Sequence, residues 1–334
     1  VRFGIFDQSE QPGGLSMGEL YESRLTLAER AEAAGFWGYH KSEHHMIPLD
    51  HAPSAGLYLA AVGQRTSRMR ICSLVHLLPF YHPIRLVEEV CMLDHLTGGR
   101  FELGFGKGIS APEHILWGLD PDEAIDRTEE MLELLLAALQ CEDDLFSFRG
   151  RFYRLDEVPI EVRPHQLPYP PLWRPGKVAT AAKLGVSTVV GGPIPLVNSS
   201  IEEYRSLYQP VLDGGREPTI GAIRRFVVAP TDEEADALGR RTWKAFSHNL
   251  TVLFRRYGLL PPNDPTVGGD YDKAKEVKAV VVGSPERIRA HVDELTSAGL
   301  VDYVIGCFAF GDLSHDEALR SLELFAEHVV APLS

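Results

Sequence analysis

Apolar residues in this chain follow two rhythms. Short unbroken runs, such as Phe3 to Phe6 and Arg70 to Leu78, read as strands buried on both faces. Between them apolar residues recur three and four positions apart, as along one face of a helix. Ser16-Met17-Gly18-Glu19 has the form of a capping box, in which the Ser hydroxyl takes one free amide and the Glu reaches back to another. Leu20, Leu27, Ala31 and Ala34 mark the buried face of the helix it opens, and Gly35 closes that helix. The spacing then predicts a strand over Tyr39 to His44 and a helix from about Ser54 to Gln64. Pro79 stops the strand Arg70 to Leu78. Pro83 opens a helix with Leu86, Val90 and Leu93 on one face, ended by Gly98-Gly99.

The second half continues the alternation. Phe101 to Gly108 is a strand running into a glycine-rich turn, and the helix after Pro121 carries Ile125, Leu132, Leu135, Leu136 and Leu139. Phe146 to Tyr153 alternates on both sides of Arg149-Gly150, as a hairpin would, so residues 141–170 read as an insertion. Lys177 to Leu184 is a helix, and Thr188–Val190, Ile223–Ala229 and Val301–Phe308 are strands. Ser284-Pro285 opens a helix with Ile288, Val292 and Leu295. Residues 259–280, with Pro261-Pro262 and Gly268-Gly269, are expected to form a mobile loop before the last helices.

About eight strands, each followed by a helix, make an α/β chain of the (β/α)8 barrel type, a single domain over 1–334 with one hairpin insertion after the fourth strand. A doubly wound open sheet is the rival. Against it, the first strand-to-helix loop, Asp7 to Leu15, has no Gly-x-Gly-x-x-Gly, and Gly104-x-Gly106-x-Gly108 comes too late and too regularly.

Charge narrows the partners. Lys and Arg number 33 against 47 Asp and Glu, a net charge of −14, which argues against nucleic acid and anionic membranes. No apolar run approaches the ~20 residues of a membrane span. Cys72, Cys91, Cys141 and Cys307 are far apart with no Cys-x-x-Cys, as expected of buried thiols in a cytoplasmic protein. The amino terminus reads as a strand and not as a signal peptide.

Candidate chemistry begins where the second strand gives way to a loop, at Glu43-His44-His45. The carboxyl end of a strand is where α/β folds place their ligands. Neighbouring side chains in an extended chain face opposite ways, so both histidines line one pocket only if the strand has already broken. With no second ligand cluster, metal binding is disfavoured. A surface-loop pair and a catalytic imidazole, of reference pKa ~6.5, both stay open. His76 in the third strand reads equally as a core residue or one facing the barrel mouth. His114, Trp117, Phe308 and Phe310 could line an apolar substrate pocket or simply pack the core. A hydrolase working through Asp7 and Glu43 is a distant alternative.

Several motifs in order carry a resemblance. Glu43-His44-His45, Leu78-Pro79, His82-Pro83-Ile84-Arg85-Leu86-Val87-Glu88-Glu89, Leu93-Asp94-His95-Leu96-Thr97-Gly98-Gly99-Arg100 and Gly104-Phe105-Gly106-Lys107-Gly108 are similar to the signature of the bacterial luciferase-like flavin monooxygenases. The likeness runs to about residue 190, then more loosely. It implies a (β/α)8 barrel with an insertion. It also implies reduced FMN (FMNH2) supplied by a separate flavin reductase, or in one branch the deazaflavin F420. The monooxygenases form a flavin C4a-peroxide that oxidises a small organic substrate with O2. The resemblance further implies a homodimer or a heterodimer with a related chain; a non-catalytic partner subunit is the alternative from another class.

By the same resemblance His44 is the catalytic histidine, and His45 holds the loop. Ser73, Leu74 and Val75 lie against the flavin ring beside Glu43, with a non-proline cis bond expected between Leu74 and Val75. Lys107 and Gly108 stand where the luciferase catalytic subunit binds the flavin phosphate through an arginine, and Gly106 replaces a reactive cysteine. Arg174, Gly176 and Lys177 stand at a helix start where the family usually offers hydroxyls. Amides and cations there suit an anion, either a phosphate or the longer tail of F420.

Overall fold

The computed structural model describes residues 1–260 and 269–333. Parallel strands alternate with helices. The strands are β1 (Arg2–Asp7), β2 (Gly38–Lys41), β3 (Arg70–Ser73), β4 (His76–Leu77), β5 (Phe101–Gly106), β6 (Leu145–Arg149), β7 (Arg154–Pro159), β8 (Leu172–Trp173), β9 (Thr188–Val190), β10 (Ile220–Val228), β11 (Val280–Gly283) and β12 (Tyr303–Cys307). The helices used below are α1 (Met17–Ala33), α2 (Ala55–Arg65), α3 (Pro83–Leu96), α4 (Ala111–Leu116), α5 (Ala124–Leu139), α6 (Val178–Leu184), α7 (Ile194–Leu207), α8 (Asp232–Tyr257), α9 (Tyr271–Glu276), α10 (Pro285–Thr296) and α11 (His315–Phe325).

Pairing runs from β1 through β2, β3, β5 and β8. A bridge from Trp173 to Ser187 carries it to β9, and β10 and β12 return it to β1. The strands thus follow one another round a ring, with helices outside. Inward-facing Cys72, Trp173, Tyr303 and Ile305 fill the interior as a cluster separate from the larger core under the helices. Glycines make room for the large ring at the axis: a Cβ on Gly4 or Gly38 would collide with the Tyr303 hydroxyl.

Local signals in the sequence act as expected at the helix ends. The capping box at α1 forms, with Ser16 Oγ accepting from the Glu19 amide and the Glu19 carboxylate accepting from the Ser16 amide. Antiparallel β6 and β7 stand outside the ring, between α5 and β8. Elsewhere the chain departs from expectation. The strand expected over Arg70 to Leu78 divides, because the Leu74–Val75 peptide is cis and throws a bulge between β3 and β4. The second strand ends at Lys41, three residues before His44. Within 259–280, helix α9 and the first residue of β11 are regular structure, while 261–268 lie outside the described residues. The sequence pattern gives no bounds for α4, α7, α8 or α11, although a helix after each strand is expected; Ser110 and Thr231 cap α4 and α8 through their side chains, whereas α7 starts after Pro193 with no side-chain cap. No helix among the described residues is long and apolar enough to cross a membrane.

Candidate functional site

The strands' carboxyl ends bring most, though not all, of the expected residues to one end of the ring. Because β2 has already stopped, the turn after Lys41 frees His44 and His45 from strand alternation, and Met46 adopts a positive φ of 59°. Both imidazoles are mostly covered and both meet a carboxylate. His44 Nδ1 lies 3.2 Å from Glu113 Oε1, and His45 Nε2 lies 2.9 Å from Glu43 Oε1. A carboxylate only accepts, so His44 Nδ1 carries the proton and donates. That tautomer leaves Nε2 as the basic nitrogen of a neutral ring.

Glu113 was not singled out in the sequence. It sits at the third position of α4, where a capping Ser110 receives its amide, and its side chain is buried. In a capping box that carboxylate would turn back to the cap; here it is spent on His44. Glu43 is also buried. It accepts from the Tyr81 hydroxyl at 2.8 Å and from the Leu77 amide at 3.3 Å, tying the loop to the segment after the cis bond. Its oxygens thus hold structure around His44.

The aromatic residues divide. Trp117, 45% exposed, stacks on Phe80 at 5.3 Å, and His45 meets Trp117 edge-on. His114 also packs edge-on against Phe80, with its Nδ1 donating to the Ser110 carbonyl at 3.0 Å. These form an apolar patch beside His44. Phe308 does not join it. Cys307 takes the inward position on this strand, so Phe308 turns out into the core against Phe36, Phe226 and Phe325. Phe310 packs on Phe246. His76 is wholly buried on the helix side, beside Phe101, Tyr81 and, at 3.5 Å, Glu89 of α3.

The bulge is braced from beneath. Ser73 Oγ donates to the Gly104 carbonyl at 2.9 Å and accepts from the Gly104 amide at 3.0 Å. A side chain at Gly104 would strike the Ser73 carbonyl, so only glycine lets β5 pass this close. Leu74 is buried and Val75 half-buried, with Val75 facing Gly106.

Cations ring the next two strand ends. Lys107 is exposed, its Nζ donating to the Gly108 carbonyl at 3.1 Å. Arg174 is held by Glu129 at 2.6 Å, yet its buried Nη1 has no hydrogen-bond partner among the described residues. Lys177 is exposed at the start of α6, beside Gly176 at φ 110° with open space around it. An unsatisfied guanidinium nitrogen and two exposed ammonium groups at these strand ends suit a phosphate or another anionic tail. Beneath the mouth, His40 meets the Tyr303 hydroxyl at 2.6 Å, and burial lowers its pKa to about 3, so it stays neutral. Trp173 Nε1 donates to Glu102, which also pairs with Arg70 at 2.6 Å.

Comparison with known proteins agrees with this geometry. A family model described as luciferase-like monooxygenase matches residues 1–302. An uncharacterised protein, y4wF, of Sinorhizobium fredii is 38% identical, covering 96% of this chain and 93% of its own. The oxygenase component of the flavin-dependent trigonelline monooxygenase of Acinetobacter baylyi is 24% identical, covering 79% and 73%. The crystal structure of the monooxygenase RslO1 from Streptomyces bottropensis superposes with a TM-score of 0.83 at 26% identity, covering both chains fully at 100%. Two structures share the fold at lower identity. One is the oxygenating constituent of 3,6-diketocamphane monooxygenase from Pseudomonas putida, in complex with FMN (TM-score 0.79, 19%, covering 99% and 98%). The other is the coenzyme F420-dependent tetrahydromethanopterin reductase of Methanopyrus kandleri (TM-score 0.72, 16%, covering 100% and 99%). This chain belongs to the luciferase-like monooxygenase family.

Proposed function

We propose that this protein is an FMNH2-dependent monooxygenase acting on a small organic substrate at the barrel mouth. The observation that carries this reading is the His44–Glu113 pair, set beside the Leu74–Val75 bulge and an apolar patch. When bound, reduced flavin supplies the electrons that activate O2 for transfer of one oxygen atom. Ser73, Leu74 and Val75 would support its ring, with Glu43 fixing the segment behind them through Leu77 and Tyr81. Lys107, Gly108, Arg174, Gly176 and Lys177 would hold its phosphate. His44 Nε2 would accept and return a proton, while Glu113 positions the ring and stabilises the imidazolium that forms. Trp117 and His114 would flank the substrate and, with Phe80, exclude water.

The remaining features of the proposal follow from this role. A separate flavin reductase would supply FMNH2, a division that the name of the trigonelline oxygenase component supports. The chain would act in the cytoplasm as one barrel domain, with 141–170 inserted, paired as a homodimer or with a related chain. F420 is the second reading. The three cations suit a longer anionic tail, and the Methanopyrus kandleri fold neighbour is named for that coenzyme. A non-catalytic subunit would have no use for a buried carboxylate orienting His44. Anaerobic titration with FMNH2 and with reduced F420, followed by mixing with oxygen, tests the proposal. Tight FMNH2 binding with oxygen-dependent substrate oxidation is expected; binding of reduced F420 alone, with no reaction with oxygen, would replace FMN by the second reading.

A further inference from the structure

Strand β10 changes neighbour halfway along one edge. β9 pairs with it over Ile220–Ala222, and β11 takes over from Arg225. At the gap lies a cavity of about 210 Å³, between Gly191-Gly192 beyond β9 and Lys278-Ala279 ahead of β11. Its wall includes Phe6 and Ile223, which also pack against the inward-facing cluster of the ring. The cavity is therefore part of the barrel mouth, two strands round from β8 and the cations at Arg174 and Lys177.

Its polar lining is cationic. Arg224 is 2% exposed, yet it makes a single hydrogen bond, from Nη1 to the Ile223 carbonyl at 2.8 Å. Among the described residues Nε and Nη2 have no partner. Arg225 donates from Nη2 to Gln8 at 2.9 Å and lies over the Phe246 ring, while its buried Nε is likewise unpartnered. Lys278 completes the set, and none of the three forms an ion pair among the described residues. Burial lowers the pKa of His291 to about 4, and Arg224 and Lys278 stand close enough to add to that shift. Leaving a buried charge uncompensated is costly. A chain of net charge −14 has carboxylates to spare, and it places none against Arg224.

We propose that this cavity is an oxyanion site, in which Arg224 and Lys278 hold the carboxylate or phosphate of an anionic organic substrate, with Arg225, on the opposite face of β10, adding positive charge across the strand. The inference rests on the reading of the mouth as the reaction site, and it narrows the substrate to an organic acid or phosphate ester. The unpaired guanidinium nitrogens supply a planar fork for two oxygens, Lys278 adds a point charge at the rim, and Phe6 and Ile223 face the carbon stem.

Calorimetric titration and thermal unfolding of the full chain test this, with phosphate and benzoate as probes against chloride at matched ionic strength. Wild type is expected to bind and be stabilised by one of the probes. Arg224→Met and Lys278→Met should each weaken that binding about ten-fold or more, the loss of one charge-assisted contact, and should leave FMN and riboflavin affinities unchanged. In buffer free of the probes, Arg224→Met should unfold no lower than wild type, because it removes an unpaired buried charge. If that variant fails to fold, half-buried Lys278 at the rim still decides the matter. Absence of probe-specific stabilisation, or undiminished binding in the variants, overturns the site. A loss of FMN affinity without loss of riboflavin affinity assigns the cavity to the cofactor phosphate and overturns the substrate assignment. None of these readouts requires turnover, so failure of FMNH2-dependent oxidation is seen separately.

Discussion

His44 Nδ1 lies 3.2 Å from Glu113 Oε1, across 69 positions of sequence, with the Glu113 side chain almost wholly buried. The pair fixes which nitrogen of the ring is free, and this shapes the first two expectations.

His44→Ala should keep flavin affinity and the unfolding midpoint but lose most product formation. A general acid or base contributes ~10²–10⁴-fold. Product yield per FMNH2 oxidised is the measurement, and unchanged yield would remove the catalytic role.

Glu113→Gln should lower turnover less than His44→Ala and shift the acid limb of its pH profile to lower pH, because an amide does not stabilise the imidazolium. A parallel loss at every pH, with a lower unfolding midpoint, would make Glu113 a purely structural residue.

The phosphate-site cations separate FMN from riboflavin. Lys107→Ala together with Lys177→Ala should weaken FMN by about ten-fold or more per charge, from ~1.5–3 kcal/mol for each charge-assisted contact, and leave riboflavin nearly unaffected. Equal loss for both ligands would assign these lysines to the fold.

Glu10 makes a prediction about stability. Burial pushes its pKa up to about 7 from 4.5, against the opposing hydrogen bonds from Asn249 and the Gly311 amide. The folded state then holds this proton more tightly than the unfolded chain. Its contribution is fully present below about pH 4.5 and is lost as pH rises through about 7. The slope across that window is at most ~1.4 kcal/mol per pH unit. Glu10→Gln should flatten the loss and be the more stable protein at pH 8. Denaturant midpoints for the two proteins across the window check it, and identical slopes would contradict the assignment.

Gly104→Ala should destabilise the fold by ~1–3 kcal/mol or more, an overpacking cost, because the methyl meets the Ser73 carbonyl and backbone cannot step aside. Thermal unfolding measures it. Gly13→Ala, with open space around it, is the control expected to change little.

Much of this molecule was legible in its chain, because some signals are local. Capping at Ser16, the Pro83 helix start and the apolar runs of the inner strands depend on residues a few positions apart, and they form where the pattern puts them. The ordered motifs from Glu43 to Gly108 likewise pointed to the cis bond at Leu74–Val75. Tertiary structure alone decided what those residues meet. Glu113 finds His44 because α4 closes over the end of β2, and no periodicity encodes that contact. For Phe308 and His76 the sequence left core and mouth both open; each took the outward position and packs on the helix side, and a one-residue difference in register would have reversed the side chain. Arg174 acquired Glu129, and Arg224 was left with no carboxylate partner among the described residues, because burial and pairing depend on elements far apart in sequence. The sequence by itself determined the strands, the helices and the motifs that mark the mouth; only packing determined which charges there are neutralised and which remain free to bind.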